Sequence, residues 1–143
     1  MPPVYFYVLF VLTVSVPIFL PLPRLIDLPY SLLGWIFIVL GVILNFWSDS
    51  LFKKKKTTIK PGGKATYLID FGPFKFSRNP IYLGMTLILL GVVFLFGSPV
   101  LFLFPFIFFL LMQQIFIPME EKEMERSFGK NYVEYKKHVR RWI

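Results

Sequence analysis

This sequence predicts an all-α integral membrane protein with four transmembrane helices, a cytoplasmic loop and C-terminal interfacial helices. Three observations predict it. Of its 143 residues, 56% are hydrophobic and 20% aromatic, more apolar surface than a soluble domain of this size keeps from water. That surface is gathered into four uncharged runs, residues 3–20, 29–47, 81–96 and 100–117, and a bilayer crossing takes about 20 helical residues. The formal charge of +8 lies outside those runs, where anionic headgroups sit, so the basic residues read as membrane flanks rather than a nucleic-acid surface.

The first run resembles a signal peptide only in position. Met1-Pro2-Pro3 supplies no basic region and no small-residue cleavage site precedes Pro21, so a retained helix is expected. The third run is short, and Gly97-Ser98-Pro99 links it to the fourth as a tight helical hairpin. Gly34 and Gly41 in the second run, and Gly84 and Gly91 in the third, each stand seven residues apart. Each pair marks a face for close backbone packing, the alternative being space for a ligand between helices. Of 16 basic residues only Arg24 falls between the first two runs. The positive-inside rule therefore places both termini and the loop 48–79 in the cytoplasm.

That loop carries Lys53-Lys54-Lys55-Lys56, a juxtamembrane anchor for anionic lipid. Gly62-Gly63-Lys64 lacks the earlier glycine and the following Ser/Thr of a phosphate loop and reads as a turn. Beyond the fourth run, Pro118 suits a first helical turn, and Glu120, Glu121, Glu123 and Glu125 favour the positive end of its dipole. Phe128-Gly129 reads as a break and Asn131 as the cap of a second helix. Together these C-terminal helices span residues 118–141. Tyr132, Tyr135, Val139 and Trp142 repeat at spacings of three and four, with Lys136, Lys137, Arg140 and Arg141 opposite, the pattern of a helix lying in the interface. Without cysteine and with one histidine, His138, the chain offers no thiolate nucleophile and no Cys/His zinc site, so no metal is expected.

Two motifs occur together: Phe71-Gly72-Pro73-Phe74-Lys75-Phe76-Ser77-Arg78-Asn79-Pro80-Ile81-Tyr82-Leu83-Gly84, and Glu120-Glu121 followed by Phe128-Gly129-Lys130-Asn131-Tyr132-Val133-Glu134-Tyr135. Their order, with an apolar hairpin between, resembles the isoprenylcysteine carboxyl methyltransferase family and its relative phosphatidylethanolamine N-methyltransferase. Thr58-Ile59-Lys60-Pro61 resembles a segment of the prokaryotic branch, and the resemblance covers about residues 45–143. It implies one domain over residues 1–143, S-adenosylmethionine as cofactor, and a lipophilic methyl acceptor arriving from the bilayer. By the same resemblance the cofactor site comprises Thr66, Tyr67, Leu68, Ile69, Phe74, Asn79, Pro80, Ile81, Tyr82 and Glu120, with Arg78, Tyr82 and Glu120 nearest the chemistry.

Three departures matter. Asn79 stands where many members carry His, and Phe74 where Tyr is usual. Phe116 occupies the place, four residues before the glutamate, where the eukaryotic prenylcysteine enzymes carry an arginine for the substrate carboxylate. With Gln113 and Gln114 one turn away, Phe116 and Gln113 are the expected acceptor contacts, and a neutral or amine acceptor is favoured. Arg78 reads equally as a group for a methionine carboxylate or lipid phosphate and as a snorkelling interfacial arginine. Tyr82 reads as a site residue or a belt aromatic. Two other functional classes stay open: an NADPH-dependent sterol-reductase-like enzyme, which shares an Arg-His-Pro-x-Tyr-like motif, and a noncatalytic membrane scaffold.

Overall fold

The computed structural model describes residues 1–57 and 66–143; the expected Gly62-Gly63-Lys64 turn and the Thr58-Ile59-Lys60-Pro61 segment lie outside the described residues. Helix α1 (Pro2–Phe19) opens with proline at its first turn, where no amide donor is missed. Its buried Thr13 donates to the Leu9 carbonyl at 2.6 Å, which satisfies the hydroxyl inside the helix itself. Helix α2 (Leu33–Lys55) follows a 3₁₀ turn at Tyr30–Leu32. It runs two turns past the expected end at residue 47, so the lysine run closes a helix and the loop begins later than residue 48. Lys53, Lys54 and Lys55 favour the negative end of the helix dipole, and Lys53 pairs with Asp49 at 2.6 Å.

Helix α3 (Pro80–Phe96) ends at Gly97 in the left-handed region, φ +72°. Only glycine fits there easily, because a side chain would press on the Ile26 carbonyl and Arg24. The Gly97 carbonyl in turn accepts from the Leu25 and Ile26 amides, tying the α1–α2 connection to this end of the bundle.

The expected hairpin follows, but the fourth run does not stop at residue 117. From Pro99 to Phe128 the chain forms one 30-residue helical rod: a 3₁₀ turn at Pro99–Phe102, α4 (Leu103–Leu111), a π turn at Met112–Phe116 and α5 (Ile117–Phe128). Pro118 sits inside that rod instead of starting a separate helix. It has no amide hydrogen and would crowd the carbonyl of Gln114, and the wider π turn just before it accommodates both defects. Gly129, at φ +52°, then breaks the rod, and α6 (Lys130–His138) begins at once, so Asn131 lies within its first turn rather than capping it. α6 ends at His138, not residue 141, because Val139 turns extended.

Among the described residues the protein is all helical, with three apolar helices long enough to cross a bilayer and the 17-residue α3 as a shorter fourth. It is an all-α multi-pass membrane protein. α2 and α3 form its most extensive pair, packed glycine to glycine. A methyl at Gly34 would overlap the Gly91 carbonyl, and one at Gly41 the Gly84 carbonyl. The glycine faces therefore serve packing and leave no room for a ligand between them. Leu9, Tyr82, Leu89, Phe108, Met112 and Ile117 join α1, α3 and the rod in a buried cluster, while Trp35, Ile36, Val39, Ile43 and Phe46 on α2 stay exposed, as suits a lipid-facing surface.

Candidate functional site

One end of the bundle gathers the N-terminus of α1, the lysine end of α2, residues 66–79, the start of α3, the charged half of the rod and α6. Thr66 and Tyr67 are tied to the end of α2 and to Thr57 just beyond it. Thr57 Oγ1 accepts from the amides of Thr66 and Tyr67, at 3.0 and 3.2 Å, and Lys55 Nζ lies 4.5 Å from the centre of the Tyr67 ring. A 3₁₀ turn at Gly72–Lys75 buries Phe74 edge-on against Phe52, with 5.3 Å between ring centres. The Phe74 carbonyl accepts from the Tyr135 hydroxyl at 2.6 Å, which couples this turn to α6.

The residues after His138 fold back onto the start of α3. The Arg78 amide donates to the Arg140 carbonyl at 2.9 Å, and Ser77 Oγ and Asn79 Nδ2 donate to the Arg141 carbonyl at 3.2 and 3.0 Å. Trp142 stacks on Phe109, with 4.7 Å between ring centres, and donates from Nε1 to Gln113 Oε1 at 2.8 Å. The expected interfacial face of Tyr132, Tyr135, Val139 and Trp142 is thus divided: α6 carries the tyrosines, and Trp142 plugs inward against the rod.

Two motifs that lie 38 residues apart meet where the Tyr82 hydroxyl donates to Glu120 Oε1. Glu120 lies beyond the apolar part of the rod. Burial raises its carboxyl above the ordinary carboxylate range, and the Tyr82 hydrogen bond opposes that rise. The adjacent Glu121 is buried and faces a cationic cluster. Arg141 donates to it through Nε and Nη2 at 2.9 and 2.8 Å, Arg78 Nη1 stands 3.1 Å from Oε1, and Lys136 Nζ stands 3.8 Å from Oε2. The Glu121 hydrogen bonds hold Arg141 more firmly protonated. Tyr132 is buried beside this cluster; desolvation, then the Glu121 charge, push its hydroxyl up to about 12, with Arg78 acting in the opposite sense.

These groups wall two adjoining cavities. The inner one is lined by Phe52, Tyr67, Leu68, Ile69, Phe74, Arg78, Asn79, Glu120, Glu121, Met124, Tyr132 and Tyr135 and holds about 30 Å³, the space of a single water. The outer groove, about 550 Å³, runs from Pro2 and Pro3 on α1 past Phe52 and Lys53 on α2, and Lys56 just after it, to Pro80, Ile81, Tyr82 and Met85 on α3. That volume suits a small-molecule ligand. Phe52, Phe74, Arg78, Asn79 and Glu120 line both.

Of the ten residues named for a cofactor, nine line one cavity or both. Thr66 does not; it is exposed and anchors the segment to α2 through Thr57 and the Lys56 carbonyl. Gln113 and Phe116 line neither. The Gln113 side-chain oxygen, Oε1, accepts from Trp142, and Phe116 rests on Tyr5 at 5.4 Å between ring centres. Sequence reasoning passed over Phe52, Met124, Tyr132 and Arg141. The basic C-terminal end was visible, but its partner Glu121 lies 20 residues away from Arg141, and the pairing depends on the chain turning back after His138.

The sequence matches the profile of the phospholipid methyltransferase family over residues 30–131. The match takes in Arg78, Tyr82, Glu120 and Glu121 and stops before Arg141 and Trp142. An uncharacterized protein of Haemophilus influenzae is 40% identical over 63 residues, which is 44% of this chain and the whole of that relative.

Proposed function

Because the chain belongs to the phospholipid methyltransferase family, we propose that it is a membrane methyltransferase that takes its methyl group from S-adenosylmethionine and passes it to a lipophilic acceptor, a lipid or a prenylcysteine-like compound. One observation carries this reading: the Tyr82–Glu120 contact brings both motifs to the wall shared by the cavity and the groove. The residues fit the cofactor's chemistry. A carboxylate suits an ammonium or ribose hydroxyls, the aromatic faces of Phe52, Phe74 and Tyr67 suit an adenine or a sulfonium, and a buried guanidinium, Arg78, suits a carboxylate. When bound, S-adenosylmethionine supplies a methyl group already activated on sulfur, so the protein's part is positioning and exclusion of water.

Tyr82 performs the first task by fixing the orientation of Glu120. Asn79 and Pro80 shape the floor at the start of α3, while Phe52 and Phe74 keep water from the inner wall. The groove between α1, α2 and α3 gives the acceptor a lateral path from the bilayer. Its apolar face of Pro2, Pro3, Ile81 and Met85 suits a hydrocarbon chain, and Lys53 and Lys56 at the rim suit a polar head. The lysine end of α2, and with it both termini, faces the cytoplasm in this reading.

The test is ligand-induced stabilisation of the purified protein, followed by transfer of a labelled methyl group to fractionated membrane lipids. S-adenosylhomocysteine at about a hundred times its Kd should add about 2.7 kcal/mol of apparent stability. Glu120→Gln and Tyr82→Phe should weaken that effect, and Lys137→Ala, whose exposed side chain pairs with the exposed Glu134, should not. Stabilisation by NADPH alone would transfer the protein to the reductase class, and stabilisation by neither would leave a scaffold.

A further inference from the structure

Arg78 is a charge held inside the protein. Its side chain is 10% exposed, whereas a snorkelling arginine keeps its head in water. Among the described residues, its buried Nε and Nη1 meet no aligned hydrogen-bond acceptor, the Tyr132 hydroxyl beside the guanidinium included, and both lie in a residue that walls the inner cavity and the groove. The nearest anion is Glu121, yet both Glu121 oxygens already accept from the guanidinium of Arg141, at 2.9 and 2.8 Å. Glu121 therefore gives Arg78 a countercharge at 3.1 Å without hydrogen-bond alignment. Lys136 adds a further positive charge and is drawn away by Glu125 at 2.6 Å. A buried guanidinium with unmet donors is costly unless an oxyanion completes it.

We infer that Arg78 is the anion-binding residue of this site, taking a carboxylate or phosphate oxygen through its free donors, and that Arg141 is the positioning residue that keeps Glu121 from occupying them. The ligand's identity rests on the methyltransferase reading; the anion site does not. In wild type, Arg141 clamps Glu121 with two parallel bonds. Without that clamp Glu121, already the countercharge of Arg78, is free to rotate and take up its donors as an aligned acceptor.

The test uses the full-length protein in phosphatidylcholine nanodiscs and reads ratios between paired ligands, so that a loss of folded protein cancels. The first pair is S-adenosylhomocysteine and its decarboxylated analogue; the second is short-chain phosphatidic acid and the matching diacylglycerol. Wild type should prefer the anionic member of at least one pair by about tenfold or more. Arg78→Gln should erase that preference. Arg78→Lys, which keeps the charge but not the fork, should erase most of it and serves if the glutamine variant does not fold. Arg141→Gln should also erase it, and Arg141→Gln with Glu121→Gln should restore it, since no carboxylate then remains to block Arg78. Loss confined to the first pair assigns the anion to the cofactor's carboxylate, and loss confined to the second assigns it to a lipid phosphate. If wild type binds neither nucleoside, the methyltransferase reading fails by itself and the lipid pair still decides the anion site. Preferences that survive Arg78→Gln in both pairs, or a wild type that discriminates in neither, would overturn the inference.

Discussion

Replacing Gly84 by alanine strikes the α2–α3 interface where the two helix backbones are in direct contact. A β-carbon there would stand 2.7 Å from the Gly41 carbonyl oxygen and 2.6 Å from Asn45 Oδ1, against 3.4 Å for ordinary contact. The Asn45 side chain can swing away, but the Gly41 carbonyl belongs to a helix backbone. α2 must therefore withdraw by several tenths of an ångström, and a gap of roughly 0.5–1 Å already forfeits a quarter to a half of each dispersion contact it opens. Overpacking of this kind costs about 1–3 kcal/mol, read as a fall in thermal midpoint of roughly 2–4 °C per kcal/mol in detergent. Tyr82 lies two residues away on the same helix, so the shift should also weaken cofactor binding. Gly129→Ala is the comparison: nothing stands within 4 Å of its added methyl, and only the backbone, at φ +52° and ψ −123°, resists, a cost of about 1–3 kcal/mol that leaves the α2–α3 contact untouched. A Gly84→Ala protein that unfolds at the wild-type midpoint would refute close glycine packing as the bond between these helices.

Three further outcomes are expected. The chain contains no cysteine, so single cysteines at Lys137 and Arg24 can be labelled cleanly, and they should react from opposite sides of the membrane; same-side labelling would contradict the alternating helices. The raised carboxyl of Glu120 favours the protonated folded protein, so its contribution to stability is full below the unfolded value and disappears as pH climbs through the folded one. Affinity for a cationic ligand should grow across the same window, and a Glu120→Gln protein with the wild-type profile would remove this group from the site. Phe116→Arg should lower the thermal midpoint, because it sets a charge against Tyr5 and the buried cluster; faster methylation of a prenylcysteine carboxylate analogue by this variant would instead put Phe116 on the acceptor's path.

The spans were legible because hydrocarbon imposes a simple rule: about 20 apolar residues with every backbone group bonded inside the helix. The glycine faces were legible as well, since a spacing of seven returns to one side of a helix. Element ends were harder to read. Lys53–Lys55 continue α2 because helix dipole and the Asp49 pair favour it, an energy that composition does not announce. The rod through Pro118 was hidden because proline ordinarily starts or breaks a helix, and the π turn that tolerates it has no pattern of its own.

For the site, the chain order alone determined which motifs were present and that an apolar hairpin separates them, and this much followed from local residue types. Tertiary structure decided what each polar group faces. Glu120 and Glu121 are neighbours of the same type, yet one turns to the Tyr82 hydroxyl and the other to Arg141 and Arg78, because adjacent positions on a helix point about 100° apart. Thr66, Gln113 and Phe116 stand near the motifs in sequence but outside both cavities. Arg141 and Trp142, beyond the end of α6, reach the start of α3 and the rod. Side-chain direction and chain reversal are properties of the packed whole, since they depend on contacts between segments 20 to 64 residues apart, and no local pattern encodes them.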